Sequence, residues 1–194
     1  MAYLTAAELK AYKDIDTAAD DMLLTSLIAA AQKYIENRTR RVFEASADAT
    51  RYYTVGADTN GAILWLDRDL ASITSITNNA NGTVEVLATT DYVTLPRTAP
   101  FNRIKLLGAS GKSWRYTVDP ENSIAVVGKW AYATSPPEDI KHACRRLATY
   151  YYMQKDAQVF DITAMPDQGA IVIPKGVPAD VDKILDNYTW MVVA

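Results

Sequence analysis

A single cysteine, Cys144, and a single histidine, His142, stand in a chain of 194 residues. One thiol forms no intramolecular disulfide and builds no cysteine-based zinc site. One imidazole excludes every centre that needs two, and a Ser-His-Asp arrangement would have to use His142 alone. The two side chains lie two positions apart in a helical stretch, so they point to different faces and form no nucleophile–base pair. No run of 18 apolar residues occurs, so no membrane-spanning helix is expected. The opening MAYLTAAELKAYK lacks a basic stretch followed by an apolar core, so the expectation is no signal peptide and an intracellular, non-membrane protein. Basic charge is not in excess either. Twenty Lys and Arg face 23 Asp and Glu, a net charge of −3, which argues against a protein that grips DNA through its phosphates. Phenylalanine is scarce, at three, against 12 tyrosines and four tryptophans.

What is present is an ordinary globular balance, 49% hydrophobic and 22% charged. At ~150 residues per domain the length fits one domain, or one with a large insertion. The first 41 residues are helical in pattern. Thr5 and Glu8 have capping-box spacing and open a short helix through about Tyr12. A long helix is expected to start at Asp16 or Thr17, with Leu24, Leu27, Ile28, Ala31 and Ile35 on one apolar face and Arg38, Arg40 and Arg41 at its negative pole. From about Val42 to Tyr132 the pattern turns to strands. Tyr52, Tyr53 and Val55 precede Asn60-Gly61, and Ile63 to Leu66 follow; Ser72 to Thr77 and Thr83 to Leu87 flank Asn81-Gly82. Ile104 to Leu107 and Trp114 to Val118 read as a hairpin across Gly108 to Gly111, and Ser123 to Val127 closes the set. Such spacing predicts an antiparallel sandwich or small barrel. Ser135 and Glu138 repeat the capping-box spacing ahead of Ile140, Ala143, Cys144, Leu147 and Tyr151. Residues 155–177 read as an irregular arm with a short strand at Ala170 to Ile173, and a last helix starts near Pro178 with Val181, Ile184, Leu185 and Tyr188 in register.

Candidate chemistry fails on context. Gly108-Ala109-Ser110-Gly111-Lys112-Ser113 lacks the earlier glycine of a phosphate-binding loop, since position 106 is Leu106, and the residues after it alternate like a strand instead of opening a helix. Asp67-Arg68-Asp69 reads as a charged turn. The pairs Asp20-Asp21, Glu138-Asp139 and Asp180 with Asp182 fall in first helical turns, where they complement the helix dipole. No catalytic constellation, cofactor site or metal site emerges. Lys141, Arg145 and Arg146 make a basic stripe that suits solvent first, and otherwise nucleic acid or an acidic partner. Tyr150, Tyr151 and Tyr152 cannot all be buried by one helix face, and Trp190-Met191-Val192-Val193-Ala194 ends the chain apolar. Tyr and Trp favour interfaces, so both features point to a protein that assembles.

The order of these elements resembles a family. A capped short helix, a long helix with an Arg-rich end and a β region lead to Val126-Val127-Gly128-Lys129-Trp130-Ala131-Tyr132. Pro136-Pro137-Glu138-Asp139-Ile140, Ala143, Leu147-Ala148 and Tyr150 follow, then a proline-started helix. This pattern is similar to the head–tail connector (adaptor, or head-completion) proteins of tailed bacteriophages, with Ala131 where a glycine is common. The resemblance implies an α+β chain, a helical bundle formed by residues 1–42 and 133–194 around a central antiparallel β insert at 43–132. It implies a non-enzymatic virion protein without cofactors. Such a protein sits in the neck as a ring, usually dodecameric, beneath the portal protein and joins the DNA-filled head to the tail or next neck protein. DNA passes through its channel without specific binding, and assembly takes place in the host cytoplasm. On that reading the apolar end, with Tyr188, Trp190, Met191, Val192 and Val193, meets the portal. Lys141, Arg145, Arg146, Tyr150 and Tyr152 are the candidate subunit interface. A tail-completion or stopper-type neck protein is the nearest alternative. A carbohydrate-binding accessory module, stacking sugars on Trp65, Trp114 and Trp130 beside Asp67 and Asp69, is a more distant one.

Overall fold

Thr5 and Glu8 close the reciprocal cap that their spacing requires: Glu8 N–H donates to Thr5 Oγ1 at 3.2 Å, and Thr5 N–H donates to Glu8 Oε2 at 2.7 Å. The resulting helix, α1, spans Ala6–Lys13. The computed structural model describes residues 2–15, 18–45, 47–156, 163–165, 169–171 and 177–190. These fall into two compact units, one made of residues 2–40 with 137–194 and one of residues 41–136.

The first unit is helical. The long helix α2 spans Asp21–Thr39, beginning after Asp20, while the expected start at Asp16 or Thr17 lies outside the described residues. Its 19 residues span roughly 28 Å, and Leu24, Ile28, Ala31 and Ile35 form its buried stripe. Helix α3 covers Glu138–Asp156 and α4 covers Ala179–Asp186. The carbonyl of Pro137 accepts from Lys141 N–H at 3.0 Å, so α3 starts three residues after Ser135, which lies outside its first turn. Helix α3 is the hub: it packs on α1, α2 and α4, and it buries Ile140, Ala143, Cys144, Leu147 and Ala148. Each Leu or Ile so buried contributes about 1.5–3 kcal/mol of hydrophobic stabilisation. Contact on three sides also explains the tyrosine run. Tyr150, Tyr151 and Tyr152 are all half-buried, because different neighbours cover different faces of α3. Between α3 and α4, β9 (Thr163–Met165) pairs antiparallel with β10 (Gly169–Ile171); the arm is expected to hold one short strand at Ala170 to Ile173, of which residues 172 and 173 lie outside the described residues.

The second unit holds two four-stranded sheets. Strands β1 (Ala49–Tyr53), β4 (Ser72–Asn78), β5 (Glu85–Val86) and β8 (Ile124–Lys129) form one, in the order β1-β8-β4-β5. Strands β2 (Thr59–Asn60), β3 (Ile63–Leu70), β6 (Tyr92–Leu95) and β7 (Phe101–Leu106) form the other, in the order β2-β3-β7-β6. All pairings within the two sheets are antiparallel. Tyr53, Ile76, Ile124 and Val126 from the first sheet and Leu64, Leu66, Ile104 and Leu106 from the second meet in one apolar cluster. The unit is therefore an open sandwich, not a barrel. The chain changes sheet within a single residue, Ala71, between β3 and β4. Gly128 on β8 faces that corner: a Cβ there would lie 2.1 Å from the Ser72 carbonyl oxygen, so only glycine lets the two backbones approach.

Three expectations are corrected here. Residues 114–118 form no strand. Their backbone is held by side chains, with Arg115 N–H donating to Asn78 Oδ1 at 3.1 Å and Thr117 N–H to Asn79 Oδ1 at 2.9 Å. The hairpin partner of β7 is instead β6, which alternation did not mark. Asp67-Arg68-Asp69 is not a turn but lies within β3.

Candidate assembly surfaces

The basic stripe of α3 is engaged within its own unit. Arg146 Nε lies 2.8 Å from Asp180 Oδ2 on α4, and that hydrogen bond lowers the Asp180 pKa below the ordinary carboxylate value. The Arg145 guanidinium sits 5.4 Å over the Tyr12 ring. Lys141 pairs with Glu138 at 2.7 Å. Tyr152 donates its hydroxyl to Asp20 at 2.7 Å, just before α2, and the Tyr150 ring lies 6.2 Å from Tyr151. At the other end, Tyr188 donates to Asp139 at 2.8–2.9 Å, and Trp190 N–H donates to the Thr39 carbonyl at 2.9 Å. Tyr188 and Trp190 are half-buried. Met191, Val192 and Val193 lie outside the described residues.

The sandwich offers no sugar-stacking cleft among the described residues. Trp114 and Trp130 are buried, their indole N–H groups donating to the carbonyls of Ala62 and Ala49. Asp67 accepts from Arg51 at 2.5 Å and from the Tyr53 hydroxyl at 2.8 Å. Asp69 is bound by Arg41. Only Trp65 is open to solvent, with the Arg103 guanidinium 5.0 Å over its ring. Cys144 is buried and its thiol pKa is pushed up to about 12 by desolvation, whereas His142 is exposed. Among the described residues, no group of three His, Cys, Asp or Glu side chains could hold a metal ion, and no helix is long and apolar enough to cross a membrane.

What remains open is the pair of outer sheet faces. On the sheet β1-β8-β4-β5, Tyr52, Ala125, Thr77 and Val86 stand in one row, with Thr50, Val127 and Ser75 in the next. Neither row carries a charge. Tyr52 is 59% exposed and Val86 63%. On the sheet β2-β3-β7-β6, one row is Trp65, Arg103 and Leu95 and the next is Ile63, Lys105 and Val93. Neither outer face was legible in the sequence, because each row draws residues from segments far apart along the chain.

The α+β fold is that of virion neck components. The neck of an empty gene transfer agent particle, computed with C6 symmetry, contains a chain that matches at a TM-score of 0.62 and 19% identity, over 99% of this chain and 92% of that one. The virion of a native gene transfer agent particle matches at a TM-score of 0.62 and 21% identity, with the same coverage. The neck of the native particle computed with C12 symmetry matches at 0.56 and 21%, over 97% of this chain and 92% of that one. No curated protein matches the chain. The chain belongs to the head completion protein family, whose sequence model matches residues 2–191. It is a structural protein of the head–tail neck.

Proposed function

We propose that the protein forms a ring beneath the portal, extends the DNA channel there, and presents the surface on which the tail or next neck protein seats. The observation that carries this reading is the match of 99% of the chain to a component of a neck computed with cyclic symmetry. A closed ring repeats one heterologous contact, so each copy needs only two complementary patches. The role is mechanical, with no catalytic step and no cofactor. A net charge of −3 suits a channel that DNA crosses without being held.

The portal contact is assigned to the C-terminal end. Tyr188 and Trp190 tie that end to Asp139 and Thr39, and the apolar Met191, Val192 and Val193 follow directly in sequence. An apolar segment gains burial where it meets a partner. The test is a pull-down on immobilised portal with the full chain and with a chain ending at Trp190. The truncation keeps Val181 and Leu185, the buried anchors of α4. Portal capture of the full chain and loss of capture on truncation support the assignment. Equal capture of both moves the contact elsewhere, and capture by tail protein in place of portal favours the stopper-type reading.

A further inference from the structure

We propose that Asn60-Gly61, at the β2–β3 hairpin, is a site of spontaneous covalent modification. The Gly61 backbone nitrogen closes on the Asn60 side chain, ammonia leaves, and the residue becomes aspartate or isoaspartate. The inference concerns the chemistry of one hairpin and stands apart from the ring reading.

The chain holds two Asn-Gly pairs, Asn60-Gly61 and Asn81-Gly82. A glycine after asparagine has no Cβ to shield its nitrogen, so that nitrogen reaches the side-chain carbonyl carbon more freely than any other residue's would. The structure separates the two pairs. At Asn81 the departing group is held, because its amide nitrogen donates to the carbonyls of Asp119 and Glu121, each at 2.8 Å. The attacking group is held as well, since Gly82 N–H donates to the Asn79 carbonyl at 3.1 Å. Gly82 is also hemmed in: a Cβ there would lie 2.1 Å from Thr117 Oγ1.

None of these restraints acts at Asn60. Asn60 and Gly61 are both exposed, and a Cβ on Gly61 would meet nothing within 4 Å. Among the described residues, neither the Asn60 side-chain amide nor Gly61 N–H has a hydrogen-bond partner. Register explains the difference. Asn60 pairs with Ile63, so the turn itself is Gly61-Ala62, with Gly61 at φ +58°. The Ala62 carbonyl is anchored, accepting from Leu106 N–H at 2.9 Å and from the Trp114 indole N–H at 3.0 Å; the Gly61 side of the turn has no such tie. Ring closure requires Asn60 to leave its extended conformation. Strand β2 is two residues long, lies at the sheet edge and pairs with β3 alone, so its opening leaves the buried Leu64 and Leu66 in place.

The chemistry needs water as its only co-reactant. Gly61 nitrogen loses its proton to hydroxide and attacks Asn60 Cγ. The bond from Cγ to the side-chain nitrogen breaks, and that nitrogen takes a proton from water and leaves as ammonia. Water then opens the five-membered succinimide at either carbonyl. Opening at Cγ gives aspartate, and opening at the main-chain carbonyl gives isoaspartate, with the backbone rerouted through Cγ. Either product adds a carboxylate to the row that holds Ile63 and Lys105.

The test incubates the full chain at neutral and mildly alkaline pH, folded and in urea, and maps its peptides by mass spectrometry. In the folded chain, conversion at Asn60 should outrun that at Asn81 by about tenfold or more, because two hydrogen bonds must first break at Asn81. Both aspartate and isoaspartate should appear at Asn60, faster at the higher pH, and urea should bring the two sites to similar rates. An Asn60 that stays intact in the folded chain while converting in urea overturns the proposal, as does an Asn81 that keeps pace with it. Aspartate without isoaspartate would mean direct hydrolysis of the amide and overturns the ring closure.

Discussion

Arg41 places one guanidinium nitrogen 3.0 and 2.9 Å from the two carboxylate oxygens of Asp69, a residue only 6% exposed. Burial raises the Asp69 pKa above its ordinary value, and Arg41 opposes that rise. Removing one partner of a buried pair leaves an uncompensated charge, so Arg41→Met should cost about 3–5 kcal/mol, read as a fall in Tm at neutral pH. The folded state binds the Asp69 proton more tightly than the unfolded state does. The protonated carboxyl needs no cation, so the Arg41→Met deficit should shrink as pH falls toward the Asp69 pKa. A deficit that grows on acidification contradicts this sign.

The other acid–base cluster has the opposite sign. Lys112 bridges Glu85 at 3.1 Å and Asp91 at 3.0 Å, tying β5 to the turn before β6. A hydrogen bond from Lys112 is the largest cause lowering Glu85, whereas the Ala88 backbone N–H leads for Asp91. Lys112 is raised by the same carboxylates, Asp91 first. The carboxylates contribute stability above their unfolded values of 4.5 and 3.8, and that contribution is lost as pH falls through their lower folded values. The lysine contribution is complete below its unfolded value of 10.5 and is lost as pH rises through its raised one. Hydrogen exchange at Thr77 and Val86 should therefore slow relative to a Lys112→Met variant at neutral pH, with the difference fading in acid. A pH-independent difference would assign Lys112 to packing alone.

Asn78 and Asn79, both fully buried, do the work of a missing strand. Their amides donate to the carbonyls of Ser113 and Thr83 at 2.9 Å and accept from the backbone of Arg115 and Thr117. Asn78→Leu removes the partner of the Ser113 carbonyl and of the Arg115 N–H, at about 0.5–1.5 kcal/mol for each hydrogen bond lost. The expected result is a lower denaturation midpoint with faster exchange confined to residues 113–117; unchanged exchange there refutes the role.

Much of the helical unit was legible because its determinants are local. The Thr5–Glu8 cap and the Leu24, Ile28, Ala31, Ile35 stripe are read at helical spacing along one segment. The β unit was legible in class and in most strands, but not where the decisive groups are distant. Trp114, Tyr116 and Val118 alternate like a strand, yet the groups that satisfy this backbone are asparagine side chains more than 30 positions away. Strand β6 is four half-buried residues, too short and too evenly exposed to show alternation. Lys141, Arg145 and Arg146 stood out as a charged stripe, and nothing local indicated that Glu138, Tyr12 and Asp180 receive them. The rows of the outer sheet faces exist only through register.

Gly128→Ala tests the close crossing at Ser72. The added methyl group meets a backbone oxygen at 2.1 Å and Leu70 Cδ1 at 3.0 Å, so strand and corner must part. Overpacking of this kind costs about 3 kcal/mol. The sandwich should melt earlier while exchange protection in α2 and α3 is retained. Wild-type stability would show that the corner yields freely.

Electron microscopy of the purified chain mixed with its portal tests the central account most directly. A closed ring seated on the portal, with its central channel continuous with the portal channel, is the predicted image. Portal particles that stay bare at saturating chain, or that carry isolated copies without closure, would contradict it.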